Sequence, residues 1–315
     1  MKTRERSSQT TGVLLGAFGY LLWGLFPLYF ALLDSVPPIE IIAHRIIWSL
    51  LLIVVIVLIS RKWRSFTRSF NRRTVIILGS AAILLAINWL VYVYAVSTDQ
   101  VLQASLGYFI NPLISVALGV VILKERLRSM QWLAVAIALI AVIVLGFAYG
   151  ALPWIGLTLA TSFGMYGLLK KFANLPSIQS LGIETALLLP LAIVILAFEF
   201  SQGAESIGSD GIGVTFLLIM LGPLTAIPLL AFGGAVTRVP LSTIGLMQYI
   251  TPIGQFILGI LVFHEVMTAG RWVGFVLVWI ALVVFSVDMY RHTRKNQRDS
   301  DLMLSEQAEI EASGA

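Results

Sequence analysis

Residues 105–112 read Ser-Leu-Gly-Tyr-Phe-Ile-Asn-Pro, and residues 245–252 read Gly-Leu-Met-Gln-Tyr-Ile-Thr-Pro. The two stretches share Leu, Ile and Pro at the same spacing, and the offset between them is 140 residues. The same offset, without a gap, relates Leu118, Gly119, Glu125 and Trp132 to Leu258, Gly259, Glu265 and Trp272. Because Pro, Gly, Glu and Trp are shared as well as apolar residues, the match indicates an internal repeat rather than a coincidence between two apolar helices.

The composition is that of a helical membrane protein. The chain of 315 residues is 58% hydrophobic and 12% charged, whereas about a quarter of a soluble domain is charged. Its apolar runs are long and continuous instead of alternating, which favours helices over a β-barrel. The absence of cysteine excludes disulfides and thiolate metal sites. Basic residues at helix ends explain the net charge of +5, so we expect no nucleic-acid partner.

The apolar runs predict an all-α integral membrane protein with ten transmembrane helices, arranged as two inverted repeats of five. The predicted spans are 12–33, 38–60, 74–96, 101–123, 130–148, 151–170, 178–199, 212–235, 241–263 and 270–289. They divide the chain into a tail at 1–11, a first repeat at 12–148, a second repeat at 151–289 and a disordered tail at 290–315. Because five is an odd number, the second repeat enters the membrane in the opposite orientation, as in many secondary transporters.

The distribution of basic residues predicts the orientation. Basic clusters lie in the N-terminal tail, at 61–73, at 124–128, at 170–171 and after 290, and ten spans place all of them on one side. Lys and Arg concentrate in cytoplasmic loops, which predicts cytoplasmic termini. The loops on the opposite side contain Asp34, Asp99, Glu205 and Asp210. The segment 264–268, which is the repeat partner of 124–128, has lost its Lys and Arg residues, as inversion requires.

Ionisable residues inside the predicted spans are candidates for function, because a charge at the bilayer centre costs at least ~2.5 kcal/mol. Arg45 lies in span two, preceded by Glu40 and His44, and the repeat offset relates His44 to Glu184 in span seven. Two interpretations stay open at this point. Arg45 binds a carboxylate of a solute while His44 or Glu184 takes a coupling proton, or these residues form structural contacts that fix helix packing.

Prolines inside the predicted spans indicate interrupted helices. Pro112 in span four and Pro252 in span nine are repeat partners, and span eight contains Pro223 and Pro228. A mid-span proline frees a backbone carbonyl, which in lipid must be satisfied by a neighbour or by a cavity. Because both halves have a proline at the same place, each preceded by a polar residue, we favour a central cavity over simple helix kinks.

Polar and aromatic residues near these prolines, with those in spans one, two, three and six, are expected to line the cavity. The polar side chains would hydrogen-bond a solute, and the aromatic ones would form apolar walls. The predicted lining residues are Trp23, Arg45, Asn88, Tyr92, Tyr108, Phe109, Asn111, Tyr166, Gln248, Tyr249 and Thr251. The competing explanation for aromatics near span ends is the belt that Trp and Tyr form at the membrane interface.

Several classes of function lack their signature in this sequence. There is no P-loop, so we expect no direct ATP drive. The three histidines, His44, His264 and His292, do not form an H-E-x-x-H motif, and paired Asp clusters are missing, so we expect no metal and no cofactor. Nothing resembles a selectivity filter or a ring of like charge. A channel and a membrane enzyme are therefore weak interpretations.

The sequence resembles the drug/metabolite transporter superfamily with its EamA domains and, within it, the RarD-like permeases. The resemblance lies in His-Arg-Ile-Ile-Trp-Ser at 44–49, Asn-Trp at 88–89 and the stretches 105–112 and 248–252, and it covers all ten spans. It implies ten helices in two inverted repeats and an inner-membrane permease with an effect on chloramphenicol sensitivity. Members of the superfamily carry amino acids, drugs and other metabolites, so the resemblance leaves the substrate open.

Together, these patterns predict a secondary transporter that moves a small metabolite or drug-like amphipathic solute by alternating access. The alternative is a non-transporting structural or regulatory membrane protein, and a weaker one is a membrane enzyme that acts on a lipid-linked substrate. The patterns leave open whether the protein is a monomer or a homodimer, and which ion is coupled to transport.

Overall fold

The computed structural model is helical throughout its regular elements, and the described residues contain no strand. The described residues are 2–123, 128–173, 175–203, 206–236, 238, 247–288 and 290–291. Their helices are α1 (Lys2–Gly24), α2 (Phe26–Ala31), α3 (Pro38–Ile59), α4 (Trp63–Arg68), α5 (Arg72–Ser97), α6 (Val101–Leu123), α7 (Ser129–Tyr149), α8 (Trp154–Ala173), α9 (Ser177–Gln202), α10 (Ile212–Val236), α11 (Ile250–Leu261) and α12 (Ala269–Asp288). The all-α fold predicted from the apolar runs is confirmed.

The helices follow the predicted spans in order. α1 and α2 form the first span, α3 the second, and α5 to α12 the remaining ones, while α4 is a short helix in the basic loop at 61–73. Seven segments of the described chain are long and apolar enough to cross a membrane: Gln9–Ala31, Pro38–Ile59, Arg72–Ser97, Ser129–Tyr149, Ile178–Gln202, Ile212–Phe232 and Ala269–Asp288. The chain is therefore a multi-pass membrane protein.

The first span differs from its prediction at its start and in its interior. α1 begins at Lys2, so most of the predicted N-terminal tail is helical. The span is interrupted at Leu25, and Pro27 lies in the first turn of α2, where its missing N–H costs nothing. Most of the predicted C-terminal tail and residues 241–246 of predicted span nine lie outside the described residues.

Local sequence explains where several helices begin and end. The Asn71 side chain accepts a hydrogen bond of 3.0 Å from Thr74 N and so caps the start of α5. Pro38 occupies the first turn of α3. Gly150 and Gly203 end α7 and α9 with φ of 69° and 64°, a left-handed conformation that glycine adopts without a steric penalty.

Helices that the repeat offset relates to each other run antiparallel, and α3 with α9 is the first such pair. At one end, the Glu40 carboxylate in α3 accepts two hydrogen bonds of 2.8 Å from Ser206 N and Oγ, just beyond α9. At the other end, Ile53 near the end of α3 packs against Gly182 near the start of α9. Equivalent helices that point in opposite directions are what an inverted repeat requires.

The pairs α6 with α11 and α7 with α12 have the same arrangement. Leu102 N, at the start of α6, donates a 2.9 Å hydrogen bond to Glu265 Oε1, just beyond the end of α11. Arg128, at the start of α7, forms an ion pair with Asp288 at the end of α12, with 2.8 Å between Nε and Oδ2. The inverted-repeat fold predicted from the 140-residue offset is confirmed by these contacts.

The helix pairs that pack between the halves are also equivalent under the repeat. α1 packs on α10 as its repeat partner α8 packs on α5, and α1 packs on α11 as α8 packs on α6. α3 packs on α10 as α9 packs on α5. One approximate two-fold relation therefore describes how the helices of both halves meet.

Two helices approach each other closely at a pair of glycines. A Cβ at Gly107 in α6 would lie 2.7 Å from the carbonyl oxygen of Gly156 in α8. The repeat partners of these residues are Met247 and Gly16, and a Cβ at Gly16 would lie 2.6 Å from the terminal methyl of Met247. Helices therefore approach closely at equivalent positions of the two halves. Backbone meets backbone at Gly107 and Gly156, whereas Gly16 meets the flexible side chain of Met247.

Candidate functional site

A cavity of about 380 Å³ lies between the two halves, where helices of both repeats meet. Nine of the predicted lining residues surround it: Trp23, Arg45, Asn88, Tyr92, Tyr108, Asn111, Tyr166, Gln248 and Thr251. The other lining residues are Tyr20, Phe26, Leu85, Trp89, Phe163, Gly167, Lys170, Leu181, Thr225, Leu229, Phe232, Pro252 and Gln255. The lining is mostly aromatic and aliphatic with a few polar groups, which is the usual composition of a small-molecule site.

Two predicted lining residues, Phe109 and Tyr249, lie outside the cavity. The Phe109 side chain packs on Trp279 of α12, with 6.2 Å between ring centroids. Tyr249 packs against the same apolar cluster. The reason for Phe109 is helical geometry: successive side chains differ by about 100°, so the residue after Tyr108 faces away from the cavity that Tyr108 lines.

Arg45 is more deeply buried than Lys170, the other cation among the described lining residues. Its residue exposure is 5%, and its Nε donates a 3.0 Å hydrogen bond to Thr225 Oγ1 of α10. The guanidinium carbon lies 4.0 Å from the centroid of the Trp89 ring, 5.6 Å from that of Phe26 and 5.8 Å from that of Phe30. Aromatic faces stabilise a guanidinium at these distances, so the helices hold the Arg45 head in one place.

Glu184 lies behind the cavity wall and is fully buried. One carboxylate oxygen, Oε1, is 2.8 Å from Lys170 Nζ and accepts a 2.8 Å hydrogen bond from Ser180 Oγ. The other, Oε2, accepts a 3.1 Å hydrogen bond from the Tyr166 hydroxyl. Lys170 and Tyr166 line the cavity, whereas Glu184 touches it only through them. The predicted proton carrier of the second half is therefore in an ion pair.

His44, the repeat partner of Glu184, also lies outside the cavity. It is buried, and its Nε2 is 3.5 Å from Oε1 of Glu40, the carboxylate that holds Ser206. Each half thus has an ionisable residue next to a charged neighbour at the same position of the repeat. A role of His44 or Glu184 in proton coupling stays a prediction.

Two of the predicted polar residues form bonds within the protein. Asn88 Nδ2 donates 3.0 Å hydrogen bonds to Leu159 O and to Ser162 Oγ, both in α8. Thr251 Oγ1 donates a 2.8 Å hydrogen bond to Tyr20 O in α1. These bonds join helices across the repeats and leave each side chain with less capacity for a solute.

Other polar side chains of the lining keep an unused acceptor. Gln255 Nε2 donates hydrogen bonds to Tyr92 Oη and Trp23 O, at 3.1 and 3.2 Å, while Gln255 Oε1 has no hydrogen-bond partner. Asn111 Oδ1 likewise has none. Tyr108 Oη donates a hydrogen bond to the Asn88 side chain. Two side-chain amides of the lining therefore have a buried acceptor without a partner in the protein.

The four prolines lie within or at the start of helices. α6 continues through Pro112, and α10 continues through Pro223 and Pro228, so both are proline-containing helices without a complete break. Pro252 lies in the first turn of α11 and lines the cavity. A helix that lines the cavity is interrupted at Leu25, between α1 and α2.

The lining is buried at one end and more accessible at the other. At the Arg45 end, the exposures of Phe26, Trp89 and Tyr92 are 5%, 7% and 3%. At the Lys170 end, Lys170 itself has a side-chain exposure of 22%, and Asn111, Phe232 and Gln248 are half-buried. The lining side chains are therefore more exposed near Lys170 than near Arg45.

Sequence reasoning missed several lining residues, and helical spacing would have found some. Gln255 lies four residues after Thr251 and seven after Gln248, a spacing that puts all three on one face of a helix. Lys170 was assigned to the membrane edge, and its contact with Glu184 depends on how α8 and α9 pack. Thr225 lies between two prolines of α10, and no local pattern relates it to Arg45.

Comparison with known sequences identifies similar proteins over nearly the whole chain. The profile of the EamA-like transporter family matches residues 10–147. The chain is 45% identical to Protein RarD of Streptomyces exfoliatus, over 93% of this chain and 94% of that protein. It is 40% identical to the uncharacterized transporter YojE of Bacillus subtilis (strain 168), over 93% of this chain and 99% of that protein.

Comparison with solved structures identifies a similar fold. One crystal structure superposes with a TM-score of 0.57, covering 90% of this chain and 99% of that chain. The two sequences are 18% identical, so the similarity concerns the fold alone.

Proposed function

Because the chain belongs to the EamA-like transporter family and is a RarD-like membrane transporter, we propose that it moves a small amphipathic solute across the inner membrane by alternating access. In this proposal the two repeats rock about the central cavity and expose it to each side in turn. The transport is secondary, driven by a solute or ion gradient, and the protein acts as a carrier rather than as an enzyme.

The observation that carries the proposal is the cavity between the inverted repeats. Its volume of about 380 Å³ lies at the lower end of the ~300–1,000 Å³ that small-molecule pockets occupy. Its aromatic walls and its few polar groups suit a solute with an apolar body and one polar or charged end. The resemblance to RarD-like permeases adds an effect on chloramphenicol sensitivity to the proposal.

The proposed orientation has both termini in the cytoplasm. The basic loop at 61–73 and Lys170 lie at the end of the bundle where α3 and α8 finish, and Lys and Arg favour the cytoplasmic side. In that orientation the more exposed end of the cavity lining faces the cytoplasm, as in an inward-facing conformation.

A filled cavity tests the proposal most directly. Gly167 lines the cavity, and a Cβ at this position would meet no atom within 4 Å, so a side chain can be introduced here without a clash at its Cβ. Gly213, near the start of α10, is exposed and also has no atom within 4 Å of a Cβ. Gly167→Phe and Gly213→Phe therefore add the same bulk, one inside the cavity and one on the outer face.

The measurement has two stages. Amino acids, nucleosides, sugars and amphenicols are first screened for a rise in the melting temperature of the purified protein, because a ligand that binds the folded state stabilises it. The solutes that bind are then tested for entry into proteoliposomes. We expect entry with the unchanged protein and with Gly213→Phe, and its loss with Gly167→Phe. Entry that persists in Gly167→Phe would move the pathway away from this cavity, and binding without entry would favour a regulatory membrane protein.

A further inference from the structure

We infer that the solute is a small organic monoanion whose carboxylate binds to Arg45, with its apolar body against the aromatic walls of the cavity. The inference rests on the proposed function and names the substrate class of that site. Two cations line the cavity, and only Lys170 has a carboxylate partner among the described residues.

Arg45 has no counter-charge in the part of the chain that the structure describes. No carboxylate among these residues lies within 4 Å of its guanidinium, since the ion pairs there are His44 with Glu40, Arg128 with Asp288 and Lys170 with Glu184. Burial of a charge without a partner is costly, and an ionised residue inside a membrane normally pairs with another group. A bound carboxylate would supply the partner that the described residues do not.

The surroundings of Arg45 leave its terminal nitrogens available. Nε is engaged by Thr225, and the ring of Trp89 covers one face of the guanidinium at 4.0 Å. No hydrogen bond joins either terminal nitrogen to a described residue. Arg45 lines the cavity, so these nitrogens can receive the two oxygens of a planar carboxylate. A guanidinium held in this way by Thr225 and Trp89 is oriented before the solute arrives.

The charge of the lining favours one negative group. Arg45 and Lys170 are its charged residues, and the Lys170 charge is balanced by Glu184 at 2.8 Å. One unbalanced positive charge therefore remains, which suits a monoanion better than a dianion or a cation. The volume and the aromatic walls place the rest of the solute between Arg45 and the Lys170 end.

The test compares probes that differ only in the charged group. Phenylpropionate, phenylpropionamide and phenylpropylamine share one apolar body, and homologous alkyl sets repeat the comparison with a different body. Binding is measured on the purified full-length protein from the concentration dependence of its melting temperature. We expect the carboxylate to bind about 10- to 150-fold more tightly than the amide, because a hydrogen bond to a charged group is stronger than one to a neutral group. We expect no binding of the amine.

Substitutions at Arg45 locate the preference. Arg45→Gln should bring the carboxylate and amide affinities within about threefold of each other, because the charge-assisted bond is gone. Arg45→Lys should keep a weaker preference, since a lysine retains the charge and loses the planar fork. The matched control is Arg271→Gln: Arg271 also lies over an aromatic ring, Tyr149, at 4.2 Å, but does not line the cavity. This variant should retain the full preference.

Each result separates this inference from the proposed function. Equal binding of carboxylate and amide to the unchanged protein, with entry of both into proteoliposomes, would overturn the anion class and leave a transporter. A carboxylate preference that depends on Arg45, without entry into proteoliposomes, would uphold the anion site and overturn transport. A preference unchanged in Arg45→Gln would remove Arg45 from the site. Should this variant not fold, the preference of the unchanged protein among the three probes decides the class, and loss of affinity in Arg45→Lys decides the site.

Discussion

Arg45 and Lys170 lie at opposite ends of one cavity, in halves that share a fold, and the protein treats these two cations differently. Lys170 forms an ion pair with the fully buried Glu184, while Arg45 rests on Trp89 without a carboxylate among the described residues. The repeat partner of Arg45 is Thr185, and that of Lys170 is Phe30. The common scaffold thus fixes where helices lie, and substitutions at equivalent positions decide where the charge is.

The largest effect should come from breaking the ion pair at the Lys170 end. Lys170→Met leaves Glu184 buried without a cation, and removal of one partner from a buried pair costs about 3–5 kcal/mol. We expect a large fall in the melting temperature of the purified protein. The double variant Lys170→Met with Glu184→Gln should recover most of this loss, because neither charge remains. A single variant as stable as the parent would mean that the pair contributes little to folding.

The glycine contacts of the two halves should respond unequally to the same substitution. Gly107→Ala places a Cβ 2.7 Å from Gly156 O, which cannot move without the backbone of α8. Overpacking of this kind costs about 1–3 kcal/mol. Gly16→Ala meets the terminal methyl of Met247, which can rotate away, so its cost should be smaller. Thermal unfolding of the two variants side by side checks the order, and equal losses would show that α6 and α8 adjust as readily as Met247.

At the Arg45 end, removal of the cation should cost little stability. Arg45→Met gives up the cation–π contact with Trp89, worth about 0.5–2 kcal/mol, but it also removes a buried charge without a partner. The two contributions oppose each other, so the melting temperature should stay close to that of the parent. A fall as large as that of Lys170→Met would imply that Arg45 is a structural residue.

A pH dependence of stability should come from Glu265, which contacts the start of α6. Burial raises the pKa of Glu265 from 4.5 to about 7, against hydrogen bonds from Leu102 and Val101 and the nearby Arg271. The folded protein therefore holds this proton more tightly than the unfolded chain, so the stabilisation is complete below pH 4.5 and is lost as pH rises to about 7. Melting temperatures across this interval should fall in the parent and less in Glu265→Gln.

A control variant separates this residue from the other carboxylates. Glu199→Gln changes a half-buried carboxylate near the end of α9, far in sequence from α6. It should keep the pH dependence of the parent. The same slope in Glu265→Gln and in the parent would assign the effect to another group.

Much of the fold could be predicted because the sequence contains the same helix pattern twice, so each half supports the interpretation of the other. The shared residues at 105–112 and 245–252, with an odd number of spans per repeat, predicted inversion, and the contact of Glu265 with Leu102 confirms that equivalent helices are antiparallel. The interruption at Leu25 was not predicted. Pro27 marks it, but a proline near a span end fits an uninterrupted helix equally well, because the first turn of a helix accepts one.

The site was less predictable, because lining depends on the direction of each side chain. Phe109 and Tyr249 were predicted from their nearness to Pro112 and Pro252, and nearness in sequence does not tell which side of the helix faces the cavity. Helical spacing from Thr251 would have added Gln255. The pairing of Lys170 with Glu184 requires two helices to meet at one height, and spacing within one helix contains no such information.

The antiparallel course of equivalent helices has a geometric consequence for the molecule as a whole. The two repeats differ in burial, since Arg45 of the first repeat is 5% exposed and the Lys170 side chain of the second is 22% exposed. If each repeat took the conformation of the other, the approximate two-fold axis would map the more exposed end of the cavity lining onto the more buried end. The opposite-facing conformation can therefore be built by giving each repeat the backbone dihedral angles that the other repeat has in this structure.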